Sequence, residues 1–196
     1  MERLKHKLIL TDADGVLLDW EYGFHRWAEK HHALVLREEG AYGLSKRYEI
    51  EKGHAKELTR LFNESSAIRN MAVLRDAKKY VRKLNSDHGF VFGVITSLSD
   101  DPDAAQLRRE NLHSIFGEDV FDFIQCLSVG ADKDEALAPY KGSGCYWIED
   151  KSENYELGLD MGLNSILMAH DHNVNYDKRG VRVHNWREIY NLITGE

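Results

Sequence analysis

A chain of 196 residues, 42% hydrophobic and 30% charged, has the length of one domain with room for a modest insertion, and its composition excludes wholesale disorder. Its 26 Lys and Arg against 33 Asp and Glu give a formal charge of -7, which argues against a nucleic-acid polymer as partner, since such binding needs a basic face that displaces counterions. A small anionic ligand stays compatible with that charge, because a local site can be positive on a negative protein.

In chain order, residues 7–11 (KLILT) form the first predicted strand, ending in polar residues. About 80 residues then precede the second strand, far more than the dozen or so that a parallel crossover needs. Residues 77–84 supply the usual crossover helix, with Ala77, Tyr80, Val81 and Leu84 spaced i, i+3, i+4 and i+7. Residues 19–71 are therefore surplus. They read as a small helical insertion, in which Phe24, Trp27, Ala28 and His31 share one face and Leu58, Leu61 and Phe62 another.

Residues 91–96 (VFGVIT) are the second strand. A helix over 104–116 follows, begun by Asp101-Pro102-Asp103, because Asp caps a helix and Pro fits its first turn. Further strands are predicted over 121–127, 145–148 and 165–168, with helices over 134–140 and 152–161 between them, and 181–193 reads as a last strand and helix. Short apolar strands separated by helices indicate an α/β fold with a doubly wound parallel sheet. The expected organisation is a Rossmann-like core from residues 1–18 and 72–196, with a helical cap at 19–71. Ligands of such sheets bind beyond the carboxyl ends of the strands, where an insertion rooted after the first strand would cover them.

Cys126 and Cys145 lie outside any CxxC pair, so a disulfide framework is not expected and a reducing, cytoplasmic compartment is. After Met-Glu-Arg-Leu-Lys-His-Lys a run of only three apolar residues leads to Thr11, too short for a signal-peptide core, and no later run suits a membrane span, so no membrane partner is expected.

The strongest chemical signal is Asp12-Ala13-Asp14-Gly15-Val16-Leu17-Leu18-Asp19, directly after the first strand. Two carboxylates spaced i, i+2 at a strand end, followed by Gly15, make a compact acidic turn that can bend sharply against a ligand. Adjacent carboxylates repel unless a cation lies between them, and a hard divalent ion with oxygen ligands, Mg²⁺ foremost, resolves that repulsion.

This turn resembles the opening motif of the haloacid dehalogenase superfamily, and the likeness runs through nearly the whole chain. The second motif is matched by Val94-Ile95-Thr96-Ser97, the third by Lys133 in Gly130-Ala131-Asp132-Lys133, and the fourth by Tyr146-Trp147-Ile148-Glu149-Asp150, with Asn154 four residues on. The short insertion, the Thr96-Ser97 pair and the tandem Glu149-Asp150 look most like the 5′(3′)-deoxyribonucleotidases and related phage and bacterial proteins. The chain departs from that pattern at Leu98, at Lys151 and at Leu74-Arg75-Asp76-Ala77.

The resemblance implies a Mg²⁺-dependent hydrolase of phosphate monoesters acting on a small phosphorylated substrate, with a (deoxy)nucleoside monophosphate foremost. Sugar-phosphate hydrolysis, a mutase, or a non-catalytic phosphate-binding or assembly protein that kept the fold are the alternatives. Asp12 would be the nucleophile and Asp14 the general acid and base. Thr96 or Ser97 would donate to the phosphate, Gly15 would let the turn approach it, and Lys133 would balance charge. Asp12, the backbone carbonyl of Asp14, and Asp150 would hold the metal, with Glu149 and Asn154 behind them. An Asp at position 14 is what phosphatases and phosphomutases of that superfamily carry.

Arg47 and Tyr48, in the insertion, are candidates for gripping substrate, although a solvated charge cluster is the commoner meaning of Lys46-Arg47-Tyr48. Phe24, Trp27 and His31 read as core of the insertion rather than as a stacking platform. His170-Asp171-His172 reads as a polar loop, since it lacks the i, i+4 spacing of a helical metal site. A second copy of the chain, as a homodimer, is left open.

Overall fold

The computed structural model describes residues 7–38, 41 and 43–196. Six strands build one sheet: β1 (Leu8–Thr11), β2 (Val91–Ser97), β3 (Phe121–Leu127), β4 (Tyr146–Glu149), β5 (Asn164–Met168) and β6 (Val181–Val183). Their spatial order is β3-β2-β1-β4-β5-β6, and every pairing is parallel. The doubly wound α/β fold read from the sequence is therefore the fold observed. Strand β1 is buried at all four positions and β2 at all but its ends, as expected of strands covered on both faces.

The chain leaves β1 on one side for β2 and on the other for β4. The direction of winding reverses between these two neighbours of β1, which opens a crevice at the carboxyl edge of the sheet.

Helices α1 (Trp20–His32), α2 (Leu44–Arg47) and α3 (Lys52–Asn63) occupy the long interval after β1, followed by a 3-10 turn at Ser66–Asn70. Helix α1 begins where the Asp19 side chain accepts from the Tyr22 amide. Phe24 and Ala28 pack inward, whereas His31, expected in the core of the insertion, is exposed at the end of that face. Phe24 stacks on Trp20 and meets Phe62 of α3 edge-on. Phe24, Leu58 and Phe62 belong to the same apolar cluster as Ile9 and Val94 of the sheet, so the inserted helices share a core with it. Polar ties reinforce the junction. Asn63 donates to the Leu98 carbonyl, and Ser99 to Glu64.

Helices α4 (Ala77–His88), α5 (Pro102–Phe116), α6 (Asp134–Leu137), α7 (Ser152–Asp160) and α8 (Trp186–Thr194) complete the chain. Helix α5 starts as its sequence dictates, with Asp101 accepting from the Asp103 amide and Pro102 in the first turn. The helix expected over 134–140 is a single α turn continued by a 3-10 turn at Ala138–Tyr140, because Pro139 has no N–H to extend the α pattern. No helix among the described residues is long and apolar enough to cross a membrane.

Candidate active site

Because all six strands run the same way, the residues that follow them meet at one edge. Asp12 follows β1, Ser97 ends β2, Lys133 lies after β3, Glu149 ends β4 with Asp150 next, and His170 and His172 come after β5. The inserted helices form the opposite wall. The cavity between has a volume of about 740 Å³.

Lys133 is the hub. Its ammonium, buried and 5.1 Å above the Trp147 ring, lies 3.1 Å from Asp12 Oδ2 and donates to Glu149 Oε2 at 2.7 Å. Burial disfavours the charge on Lys133, but the facing charges of Asp12 and Glu149 outweigh it and hold the ammonium above its ordinary range. Glu149 is pinned on every side. Its Oε1 accepts from the amides of Asp150 and Lys151, and its Oε2 also accepts from Asn154 at 3.3 Å. Burial pushes the Glu149 carboxyl up, yet the Lys133 charge and these donors bring it below its usual value.

Asp12 and Asp150 are left under-compensated. Asp12 is pushed up to about 7, first by burial, with Glu149 and Asp14 adding to it and Lys133 opposing. Asp150 rises well above the carboxylate range for the same reason, burial first and then the charges of Glu149 and Asp12. Asp150 is held in place by its own neighbours: His172 Nε2 lies 3.3 Å from its Oδ2, and its carbonyl accepts from Asn173 at 2.7 Å. Carboxylate oxygens of Asp12, Glu149 and Asp150 all lie within 4.8 Å of one another. Three carboxylates against one ammonium, with two acids raised first by burial and then by neighbouring carboxylates, form a hard-oxygen donor set short of positive charge. Such a set fits a divalent cation of the Mg²⁺ type.

Gly15 explains the tight packing here. Its φ is +74°, and a Cβ at this position would run into the Asp150 carboxylate. The acidic turn closes on itself through amides of Leu17 and Leu18 donating to the Ala13 carbonyl, and the Gly15 carbonyl meets His170 Nε2 at 2.6 Å.

The cavity wall includes Asp12, Asp14, Gly15, Ser97, Arg47, Lys133, Glu149, Asp150 and Asn154. Thr96 points away from it: the side chain is wholly buried and its hydroxyl lacks a partner. Ser97, next along the strand, faces the cavity. Tyr48 is in the apolar core of the inserted helices rather than on the wall, with its ring against Phe24 and its hydroxyl 3.0 Å from His25 Nδ1. Arg47 reaches the wall while bridging Glu21 at 2.9 Å and donating to the Ala41 carbonyl.

Several wall residues were not anticipated. Lys52, Lys56 and Thr59 line the cavity from one face of α3, at i, i+4 and i+7, a spacing that could have singled them out. His170 and His172, read as a plain loop, stack their rings 5.3 Å apart beside Asp150. Asp14 accepts both Nη groups of Arg108. The signal for Arg108 was a cation at the same spacing as Ala104, Leu112 and Phe116 on the apolar stripe of its helix.

The six-stranded parallel sheet, flanked by helices, is the fold of haloacid dehalogenase-like solved structures. Among solved structures, a haloacid dehalogenase-like hydrolase from Streptococcus pneumoniae is similar with a TM-score of 0.66 and 14% identity, over 96% of this chain and 98% of that one. The D,D-heptose 1,7-bisphosphate phosphatase of B. bronchiseptica, solved with magnesium and phosphate, is similar with a TM-score of 0.60 and 11% identity, over 96% and 98%. At these identities the likeness is one of fold. An uncharacterized 32.4 kDa protein of enterobacteria phage T4 is 28% identical over 94% of this chain and 69% of its own length. Residues 6–195 match the family model described as 5′ nucleotidase, deoxy (pyrimidine), cytosolic type C protein. The chain belongs to that family of haloacid dehalogenase-like phosphatases.

Proposed function

We propose that the protein is a Mg²⁺-dependent hydrolase of phosphate monoesters that works through an aspartyl-phosphate on Asp12, with a nucleoside monophosphate as its substrate. The observation that carries this reading is the position of Asp12: at the floor of the cavity, 3.1 Å from the Lys133 ammonium and within reach of Asp150. A bound Mg²⁺, held by the Asp12 and Asp150 carboxylates and the Asp14 carbonyl, would supply charge neutralisation for the phosphoryl oxygens.

The remaining work falls to side chains of this chain. Asp12 is the nucleophile, and its ion pair with Lys133 holds it still and keeps its charge available. The Ser97 hydroxyl, on the cavity side of its strand, donates to the phosphoryl group, with Thr96 behind it. Gly15 lets the acidic turn lie close against the phosphate. Asp14 gives a proton to the leaving oxygen and takes one from the attacking water. Glu149 and Asn154 fix Lys133 and the following loop. The inserted helices, residues 19–71, act as a cap that shuts water out and contacts the leaving group through Arg47, with Tyr48 supporting its wall.

The family membership and the magnesium and phosphate of the heptose bisphosphate phosphatase support the choice of metal and chemistry. Phosphate release from a panel of nucleoside 5′-monophosphates and sugar phosphates tests the reading. The wild type with Mg²⁺ is expected to turn over nucleotides, and chelator or Asp12→Asn to abolish release. Preference for sugar phosphates would overturn the substrate, and equal rates from wild type and Asp12→Asn would overturn the mechanism.

A further inference from the structure

The carboxylate of Asp14 is gripped from behind. Arg108, midway along α5, is fully buried, and its Nη1 and Nη2 donate to Oδ1 and Oδ2 of Asp14 at 2.7 and 3.1 Å. A guanidinium on an apolar helix stripe carries a desolvation cost that a well-placed partner must offset. That partner is a carboxylate on the cavity wall. The arm is also braced from outside the helix. Arg108 Nη2 lies 3.8 Å from Met71 Sδ, and Asn111 donates to the carbonyls of Arg69 and Met71, in the segment that returns from the inserted helices.

We propose that Arg108 is a positioning residue that aims Asp14 for proton transfer to and from the reacting oxygens. The proposal rests on the phosphatase reading of this site and adds a residue to it. In the first half-reaction an Asp12 oxygen bonds to phosphorus while the bond from phosphorus to the leaving oxygen breaks. The electron pair of that bond stays on the leaving oxygen, which takes the proton of Asp14. In the second half water bonds to phosphorus, the Asp12 oxygen leaves with its electron pair, and the water proton returns to Asp14. Negative charge thus grows on Asp14 as the leaving group departs. A donor pair already in place there stabilises it without reorganisation. The planar fork also fixes the plane of the carboxylate, which a point-charge lysine does not do.

Leaving-group dependence tests this. The ratio kcat/KM reports the steps up to leaving-group departure. 2,4-Dinitrophenyl phosphate needs no proton at that step, whereas an alkyl ester such as a nucleoside 5′-monophosphate does. Arg108→Met keeps an unbranched apolar stem and removes the guanidinium. It is expected to lower kcat/KM for the alkyl ester by about tenfold or more beyond its effect on the aryl ester. Combined with Asp14→Asn, it should add little to the alkyl-ester loss of Asp14→Asn alone. Arg108→Lys keeps the charge without the fork; it should show a smaller differential, and it serves if the Met variant does not fold. An equal loss on both esters, or no loss on either, overturns the proposal while leaving the phosphatase reading intact. A wild type inactive on both esters overturns that reading and this proposal with it.

Discussion

The Lys133 ammonium donates to Oε2 of Glu149 at 2.7 Å, and both side chains are almost wholly withdrawn from solvent. Breaking a buried pair from one side leaves an uncompensated charge, at a cost of about 3–5 kcal/mol. Lys133→Met is expected to fall in that range in urea unfolding at neutral pH, because it strands Asp12, Glu149 and Asp150 together. Glu149→Gln should cost less, since Lys133 keeps Asp12 as a partner. A Lys133→Met variant as stable as wild type would contradict a buried cluster centred on Lys133.

The raised acids set a pH dependence. Asp12 moves from 3.8 to about 7, so between those values the folded protein binds more protons than the unfolded chain, and stability falls as pH rises through that window. Asp150 acts in the same direction. Glu149, held low, acts oppositely, but below its usual range. Without divalent cations, Tm should therefore decline from about pH 5 to pH 8. Mg²⁺ should raise Tm by an amount that grows over the same interval, since its ligands must be deprotonated. A Mg²⁺ effect that is flat with pH would contradict the assignment of these acids as ligands.

The fit around Asp150 is equally open to test. Gly15→Ala places a methyl group against the Asp150 carboxylate. His172→Ala removes a neighbour of both its carboxylate and its carbonyl. Each is expected to weaken Mg²⁺ binding by on the order of ten- to a hundredfold, measured by calorimetry on the folded variants. Unchanged affinity in both would place the cation elsewhere.

Much of this arrangement was legible in the sequence because the sheet is wholly parallel. Residues 91–96 and 145–148 are β-branched or aromatic runs with nowhere to go but a strand buried on both faces, and they lie within a residue or so of β2 and β4. Parallel strands then bring Asp12, Lys133 and Asp150 to one edge whatever their separation in sequence. What escaped notice depends on side-chain direction and on contacts across the fold. That Ser97 rather than Thr96 faces the cavity depends on the pleat at the end of β2. The Arg108–Asp14 pair spans 94 positions and joins a helix to a turn. His170 and His172 gain their meaning from the Gly15 and Asp150 carbonyls they approach, and these are invisible in local spacing. Lys52 and Lys56 reach the cavity only because the inserted helices fold over the edge of the sheet.

Asp76, which is not on the cavity wall, offers a control. Both oxygens of Asp76 accept from the first amides of α8, those of Trp186 and Arg187. Asp76→Ala removes these bonds and is expected to cost about 1–3 kcal/mol in urea unfolding, with kcat unchanged on the folded fraction. A drop in kcat of the folded variant would show that α8 influences the site.

The central claim is that Asp12 carries the phosphoryl group during turnover. Enzyme mixed with radiolabelled nucleoside monophosphate and Mg²⁺ and quenched in acid tests it most directly, followed by mapping of the label. The account predicts a label on the peptide containing Asp12, lost on treatment with hydroxylamine and absent from Asp12→Asn. Rapid phosphate release with no labelled protein, or a label on any other residue, would contradict it.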